Sequence, residues 1–398
     1  MLFHFSNALG PEQKVGGAEM AAFAIMKELQ RLGWKPHVLM HAEGLLAAQL
    51  DQHNIPWKIA RLGEGLGSFT RNKLPSLNQA VATGAGLVTL TARLCEVIRE
   101  WDIDLVHAHH MYAYLSCGIA ARIRRVPCIW HLHESWEPGL VYSILSRLGP
   151  LLADHIITIA EYETTTAANL VRRVGYTLIP NAFDFDELEA ARKRSAEEIR
   201  AELGIEPDQL LIGYVSHLAP YKGQRTFLQA FAALARDYPS CRALVVGGPR
   251  KSCEWFRDEL FEYARKLAIT DRVTFTGVRL DVADIMNALD IFVCVSENQE
   301  FNRVLVEAMY FAKPVLASDL RGSSIVAETG RTGILVPPRD PSAMTRALAC
   351  LAGDADLRAR LGLNGRQYIL ATFPSDKIVP KYVDVYSRLL SRRKVAER

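Results

Sequence analysis

The sequence predicts an α/β protein made of two doubly wound, Rossmann-like domains that face one cleft. Three observations carry this expectation. Short apolar runs alternate with amphipathic helical stretches, the pattern of a parallel sheet with helices on both faces. The alternation restarts after Ile179-Pro180-Asn181. The length, 398 residues, suits two domains of ordinary size. The expected boundaries are 1–180 plus 374–398 for an N-terminal domain and 185–373 for a C-terminal one.

Composition narrows the class. Hydrophobic residues make up 49% and charged residues 23%, the globular average, which excludes disordered, fibrous and coiled-coil chains. A net charge of +3, from 47 Lys+Arg against 44 Asp+Glu, is too small for nucleic-acid binding by bulk charge. The seven cysteines form no C-x-x-C pair, so a reduced intracellular protein is expected, without zinc ribbon or disulfide framework. Met1-Leu2-Phe3-His4-Phe5 has no basic flank and reads as no secretory signal. The uncharged stretch Leu74–Ala92 contains Pro75, Asn78 and Gln79 and reads as loop plus amphipathic helix, not a membrane span.

The elements follow in order. Met1–Ser6 reads as a strand, followed by a loop through Gly16-Gly17. A helix then places Ala22, Ile25, Met26, Leu29 and Leu32 on one face and stops at Gly33. Lys35–Met40, Leu105–Ala108, Cys128–His131 and His155–Ile159 read as further strands. Asp184–Leu203, with alternating charges and no long apolar run, reads as linker and solvated helix. The second set of strands is Leu210–Val215, Ala243–Val246, Val273–Thr276, Ile291–Val295, Pro314–Ala317 and Gly333–Val336, and Pro374–Arg398 reads as a final helix.

In doubly wound sheets ligands bind beyond the carboxyl ends of the strands. Four constellations fall there. Gly16-Gly17-Ala18-Glu19 opens a helix, either as a turn needing positive φ or as a backbone approach to an anion. His107, His109, His110, His131 and His133 cluster at strand ends, and of eleven histidines only His217 lies beyond His155. No carboxylate or cysteine stands at a ligand spacing beside them, so they read as polar lining of a substrate cleft rather than a metal site. Ser216-His217-Leu218-Ala219-Pro220-Tyr221-Lys222-Gly223 leads into a helix, with Lys222 either an ordinary surface lysine or a diphosphate ligand. In Gln299–Glu307, a helix start is followed by Glu307 among apolar neighbours, a carboxylate whose burial calls for a ligand or a partner.

Taken in order, Gly16-Gly17-Ala18-Glu19, Asp104-Leu105-Val106-His107-Ala108-His109, Val126-Pro127-Cys128-Ile129 with His133, and Pro180-Asn181-Ala182-Phe183-Asp184 make up the first half of a longer pattern. Its second half is the Lys222-Gly223 loop, Gly247-Gly248-Pro249, Gln299–Glu307, Lys313-Pro314-Val315-Leu316-Ala317-Ser318 and Thr332-Gly333-Ile334-Leu335-Val336-Pro337. The whole resembles family 4 of the GT-B glycosyltransferases over nearly the entire chain. The resemblance implies retaining transfer from a nucleotide sugar, UDP-sugars being favoured, to a saccharide or lipid-linked acceptor in cell-surface or exopolysaccharide synthesis. It implies no further cofactor and no metal. His133, Lys222 and His217 become the catalytic set, and Gly16, Gly17, Gln299, Glu300, Phe301, Asn302, Arg303, Val304 and Glu307 the donor-binding set. His107, His109 and His110 fall on the acceptor side. The last helix is expected to cross back to the N-terminal domain.

The departures matter as well. His217 stands where the family has arginine, Gln299 where it has glutamate with Glu300 one place out of register, and Ile325 where a third glutamate is usual. Arg303 or Arg225 is the expected source of the missing positive charge. The triplets Asp102-Ile103-Asp104 and Asp184-Phe185-Asp186 precede a strand and occupy the interdomain segment, positions unsuited to a donor metal. Two other classes share parts of this pattern: a nucleotide-sugar 2-epimerase and a donor-binding but inactive subunit. Arg122, Arg124 and Arg125 with the apolar run Leu140–Leu152 read either as contact with an anionic membrane at the inner face or as a solvated helix beside a core helix.

Overall fold

The structure is a computed structural model describing residues 1–4, 17–60, 77–133, 139–249, 253–297 and 301–396. The chain divides into two compact units, Met1–Phe183 with Ser375–Arg398, and Asp184–Pro374.

The first unit holds a seven-stranded sheet: β1 (Leu2–His4), β2 (His37–Met40), β3 (Trp57–Ile59), β4 (Val106–Ala108), β5 (Cys128–Leu132), β6 (His155–Thr158) and β7 (Tyr176–Leu178). Their order is β3-β2-β1-β4-β5-β6-β7, all parallel. Strand parity sorts the core into two layers. Phe3, Val38, Leu105, Ile129 and Ile157 pack with the helices Gly17–Arg31 and Ser375–Ala396. Leu2, Leu39, Val106, Trp130 and Ile156 pack on the opposite side with Leu94, Ala120 and Leu170.

Three sequence readings change here. The edge strands β3 and β7 were not expected. Each is three residues long with no fully buried position, so neither shows the apolar run by which buried parallel strands are recognised. Leu32 is not on the buried helix face: the helix ends at Arg31, Gly33 takes φ +83°, and Leu32 is 47% exposed. The helix Leu77–Glu100 packs on Met111–Arg124, and among the described residues no helix is long and apolar enough to cross a membrane.

The second unit holds β8 (Leu210–Val215), β9 (Cys241–Val246), β10 (Val273–Gly277), β11 (Ile291–Cys294), β12 (Val315–Ser318) and β13 (Ile334–Val336), ordered β10-β9-β8-β11-β12-β13 and parallel. Its core includes Ile212, Tyr214, Phe227, Phe231, Val293 and Leu348. Asp184–Leu203 is not a free linker. It forms the helices Phe185–Ala191 and Ala196–Glu202, the latter with a Ser195/Glu198 capping box and a buried Ile199. Buried Asp284 accepts the backbone N–H groups of Lys193 (2.6 Å) and Arg194 (3.0 Å), pinning the turn between them.

Candidate functional site

In the second unit the strand order reverses between β8 and β11, the switch point at which doubly wound sheets bind ligands. Two loops leave the carboxyl ends there. After β8 the chain runs through Ser216–Ala219 into the 3₁₀ turn Pro220–Lys222 and then the helix Gln224–Asp237. Gly223 sits at φ +80°, and a Cβ on it would lie 2.1 Å from the Val295 carbonyl oxygen, so only glycine lets the loop close onto the end of β11. Gly247, at φ +135°, similarly has no room for a Cβ, which would lie 1.9 Å from the Ser216 oxygen. The Leu218 N–H donates to Gly248 O (2.8 Å) and the Glu297 N–H to Tyr221 O (2.8 Å). The loops after β8, β9 and β11 are thereby braced against one another.

Lys222 is held in that brace at 8% exposure, unusual for a lysine. Its carbonyl accepts from the Tyr214 hydroxyl, and its ammonium lies 5.4 Å from the centroid of the Tyr221 ring. Burial pushes the neighbouring Cys294 thiol up to about 11, while the charge of Lys222 pulls it down. The lysine is therefore a fixed cation at the end of β11. His217 is exposed, and its Nε2 shares a 2.8 Å hydrogen bond with the Tyr221 hydroxyl. Gln224 Nε2 donates to Ser216 Oγ and to His217 O, each at 3.0 Å, fixing the loop from beneath.

Gln299 and Glu300 lie outside the described residues. Beyond them Phe301 and Asn302 are buried, Asn302 is the N-cap, and the helix Arg303–Tyr310 begins. The N–H groups of Arg303 and Val304 stand at its positive end. Glu307 is half-buried, and Arg303 Nη2 lies 3.6 Å from its Oε1. The partner that a carboxylate in this setting calls for is thus Arg303. Burial lowers the pKa of the Arg303 guanidinium and Glu307 raises it. Arg225, the other expected source of charge, is turned away: it pairs with Glu259 and lies 5.3 Å from the Phe256 ring centroid.

In the first unit the order reverses between β1 and β4. Gly17 is exposed and begins the helix Gly17–Arg31, and Gly16 lies outside the described residues. The histidines correct the expectation of a cleft lining. His107 and His131 lie within β4 and β5, are fully buried, and face the helix Ser375–Ala396. His107 Nδ1 shares a 3.0 Å hydrogen bond with the Tyr386 hydroxyl, and the Tyr382 hydroxyl stands 3.5 Å from His131 Nε2. His109 is 2% exposed, with its Nδ1 2.9 Å from His133 Nε2. His107 and His109 therefore present no surface to an acceptor, whereas His110 and His133 are partly accessible. Burial holds the His107 and His131 imidazoles well below their ordinary pKa, and the neighbouring His133 lowers both further. Ring nitrogens of His107, His109 and His131 lie within 4.8 Å of one another, closer together than the sequence suggested. Sequence reasoning missed Tyr221, Gln224, Tyr382 and Tyr386. The i, i+4 spacing of the last two was visible, but the histidines they meet lie over 250 residues away.

Asp102 and Asp104 precede β4 and so lie away from its carboxyl end. Asp184 caps the helix Phe185–Ala191 by accepting from the Glu187 N–H at 2.9 Å.

Comparison with known proteins gives these loops a family. Residues 15–187 match the model described as Glycosyltransferase Family 4, and residues 195–368 the one described as Glycosyl transferases group 1. A D-inositol 3-phosphate glycosyltransferase of Corynebacterium urealyticum is 31% identical over 384 residues, covering 84% of this chain and 89% of that protein. An N-acetyl-alpha-D-glucosaminyl L-malate synthase of Bacillus anthracis is 24% identical over 317 residues, covering 76% and 79%. Among solved structures, Anabaena Alr3699/HepE in complex with UDP-glucose is similar with a TM-score of 0.80 and 25% identity, covering 98% of this chain and 100% of that one. Both sheets, both family matches and relatives along most of the chain agree, and the protein belongs to the GT-B glycosyltransferases of family 4.

Proposed function

We propose that the protein transfers a sugar, with retention, from a nucleotide-sugar donor to a saccharide or lipid-linked acceptor in cell-surface polysaccharide synthesis. The second unit binds the donor. The observation that carries this reading is Lys222, a buried cation fixed by three braced loops at the β8/β11 switch point. As the glycosidic bond breaks, negative charge develops on the leaving diphosphate. Lys222 and the amides at the start of Arg303–Tyr310 are positive groups already in position, so they need no reorganisation as that charge grows. Glu307, steadied by Arg303, accepts from ribose hydroxyls. His133 is assigned to the transferring sugar and His110 to the acceptor. A UDP-sugar is the favoured donor, supported by the UDP-glucose complex of HepE. The seven free cysteines suit a reducing cytoplasm.

The test is release of nucleoside diphosphate from UDP-, GDP- and ADP-sugars with and without acceptor. Acceptor-stimulated release, with the product anomer matching the donor, is expected. Conversion of free donor would instead indicate an epimerase, and binding without turnover an inactive subunit. Exhaustive dialysis against EDTA is expected to leave the rate unchanged. Restoration of a lost rate by Mn²⁺ or Mg²⁺ would contradict metal independence.

His217 supplies a second test. Standing where a permanently charged arginine is usual, an imidazole assists the diphosphate only while protonated. Transfer should therefore decline as pH rises past the ordinary histidine range of about 6.5. His217→Arg should flatten that decline, and an identical profile in the variant would remove His217 from the mechanism.

A further inference from the structure

The helix Leu140–Leu152 is apolar on both sides. Inward, Leu145 and Gly149 are buried, and a Cβ on Gly149 would lie 2.2 Å from Leu170 Cδ1, so the helix is seated tightly on the Ala168–Val174 helix. Outward, at 3.6 residues per turn, Leu140, Ile144, Arg147, Leu148 and Leu151 fall within about 100° of arc. All five are exposed, the aliphatic ones by 45%, 38%, 39% and 67% in chain order. On a domain surface this sector is ordinarily polar.

The stripe continues onto the neighbouring helix. Arg122 Nε donates to Leu151 O (2.7 Å) and its guanidinium pairs with Asp154 (3.0 Å), tying the end of Met111–Arg124 to the end of the stripe. That contact sets Ile123, 62% exposed, and Arg125 near the same end. On the other flank, Ala168–Val174 ends in the exposed pair Arg172 and Arg173. An exposed aliphatic stripe with arginines within it and along both flanks matches the amphipathic elements that lie in a membrane interface. A second copy of the chain fits less well. A two-fold contact through this stripe would bring Arg147, in the middle of the sector, against its own symmetry mate.

We propose that this face docks the N-terminal unit on an anionic lipid bilayer. Ile144, Leu148 and Leu151 enter the boundary between headgroups and acyl chains, while Arg147 and Arg173 meet lipid phosphates. The docking is independent of the donor reading, because its assay contains neither nucleotide nor turnover.

The experiment is flotation of the full chain with vesicles of phosphatidylcholine alone and of phosphatidylcholine with phosphatidylglycerol. Co-flotation with the anionic vesicles, weakened by salt, is expected. The exposed-site variant Ile144→Ser/Leu148→Ser/Leu151→Ser should lose it with an unchanged melting temperature. Arg147→Gln/Arg173→Gln should weaken it by about 30-fold, roughly fivefold for each arginine. Equal binding to neutral and anionic vesicles, or binding to neither, would overturn the proposal. So would light scattering that shows a dimer which the serine variant dissolves.

Discussion

Replacing Lys222 by Met lowers transfer by about 10²–10³-fold while leaving the fold intact. The magnitude is that of removing one preorganised positive or hydrogen-bond donor from a charge-developing site. The fold is expected to survive because the loop is held through its backbone. The Tyr214 hydroxyl donates to the Lys222 carbonyl, and the Lys222 N–H to Ala219 O at 2.9 Å, and neither bond uses the ammonium. Methionine keeps the aliphatic stem in its buried seat and removes only the charge. Steady-state kinetics should show the loss mainly in kcat, since charge on the leaving diphosphate grows toward the transition state. A variant with unchanged turnover would place the diphosphate elsewhere.

The second large effect is acid unfolding confined to the N-terminal unit. His107 and His131 are buried neutral, and burial lowers His41 to about 4. The sign follows from proton binding. Below about pH 6.5 the unfolded chain protonates these imidazoles and the folded unit does not, so stability present at neutral pH is lost as pH falls. Each group costs about 1.4 kcal/mol per pH unit in that range. The three together remove about 6 kcal/mol by about pH 5, on the order of a whole domain's stability. The second unit has a single histidine, the exposed His217, and lacks this liability. Hydrogen exchange near pH 5 should show the amides of β4 and β5 opening while those of β8 and β11 stay protected. His107→Gln/His131→Gln should move the transition to lower pH. Simultaneous opening of both sheets, at a pH the variant does not shift, would contradict this account.

Much of this architecture could be read locally. The alternation of apolar runs and helices places eleven of the strands, because a buried parallel strand is a continuous apolar run. β3 and β7 escaped because edge strands are short and half-exposed. The donor loop was legible for the same reason: glycine, proline and lysine after a strand are punctuation that one segment carries by itself. The pairing of Arg303 with Glu307 was also within reach, since i, i+4 spacing on a helix sets the two side chains together. The fate of Arg225 depended on Glu259, a residue on the next helix in the sequence. The histidines were misread for a less local reason. At strand ends they look like a polar lining, and only a helix contributed by the last residues of the chain turns His107 and His131 into core. Burial imposed by a distant segment leaves no periodicity at the buried site.

The most direct test of the central claim, that the loops after β8 and β11 hold a nucleoside diphosphate, is calorimetric titration of the full chain with UDP. Binding by the wild-type protein that Lys222→Met abolishes or sharply weakens is the predicted result. Failure to bind UDP, GDP or ADP, or equal binding by the variant, would contradict it.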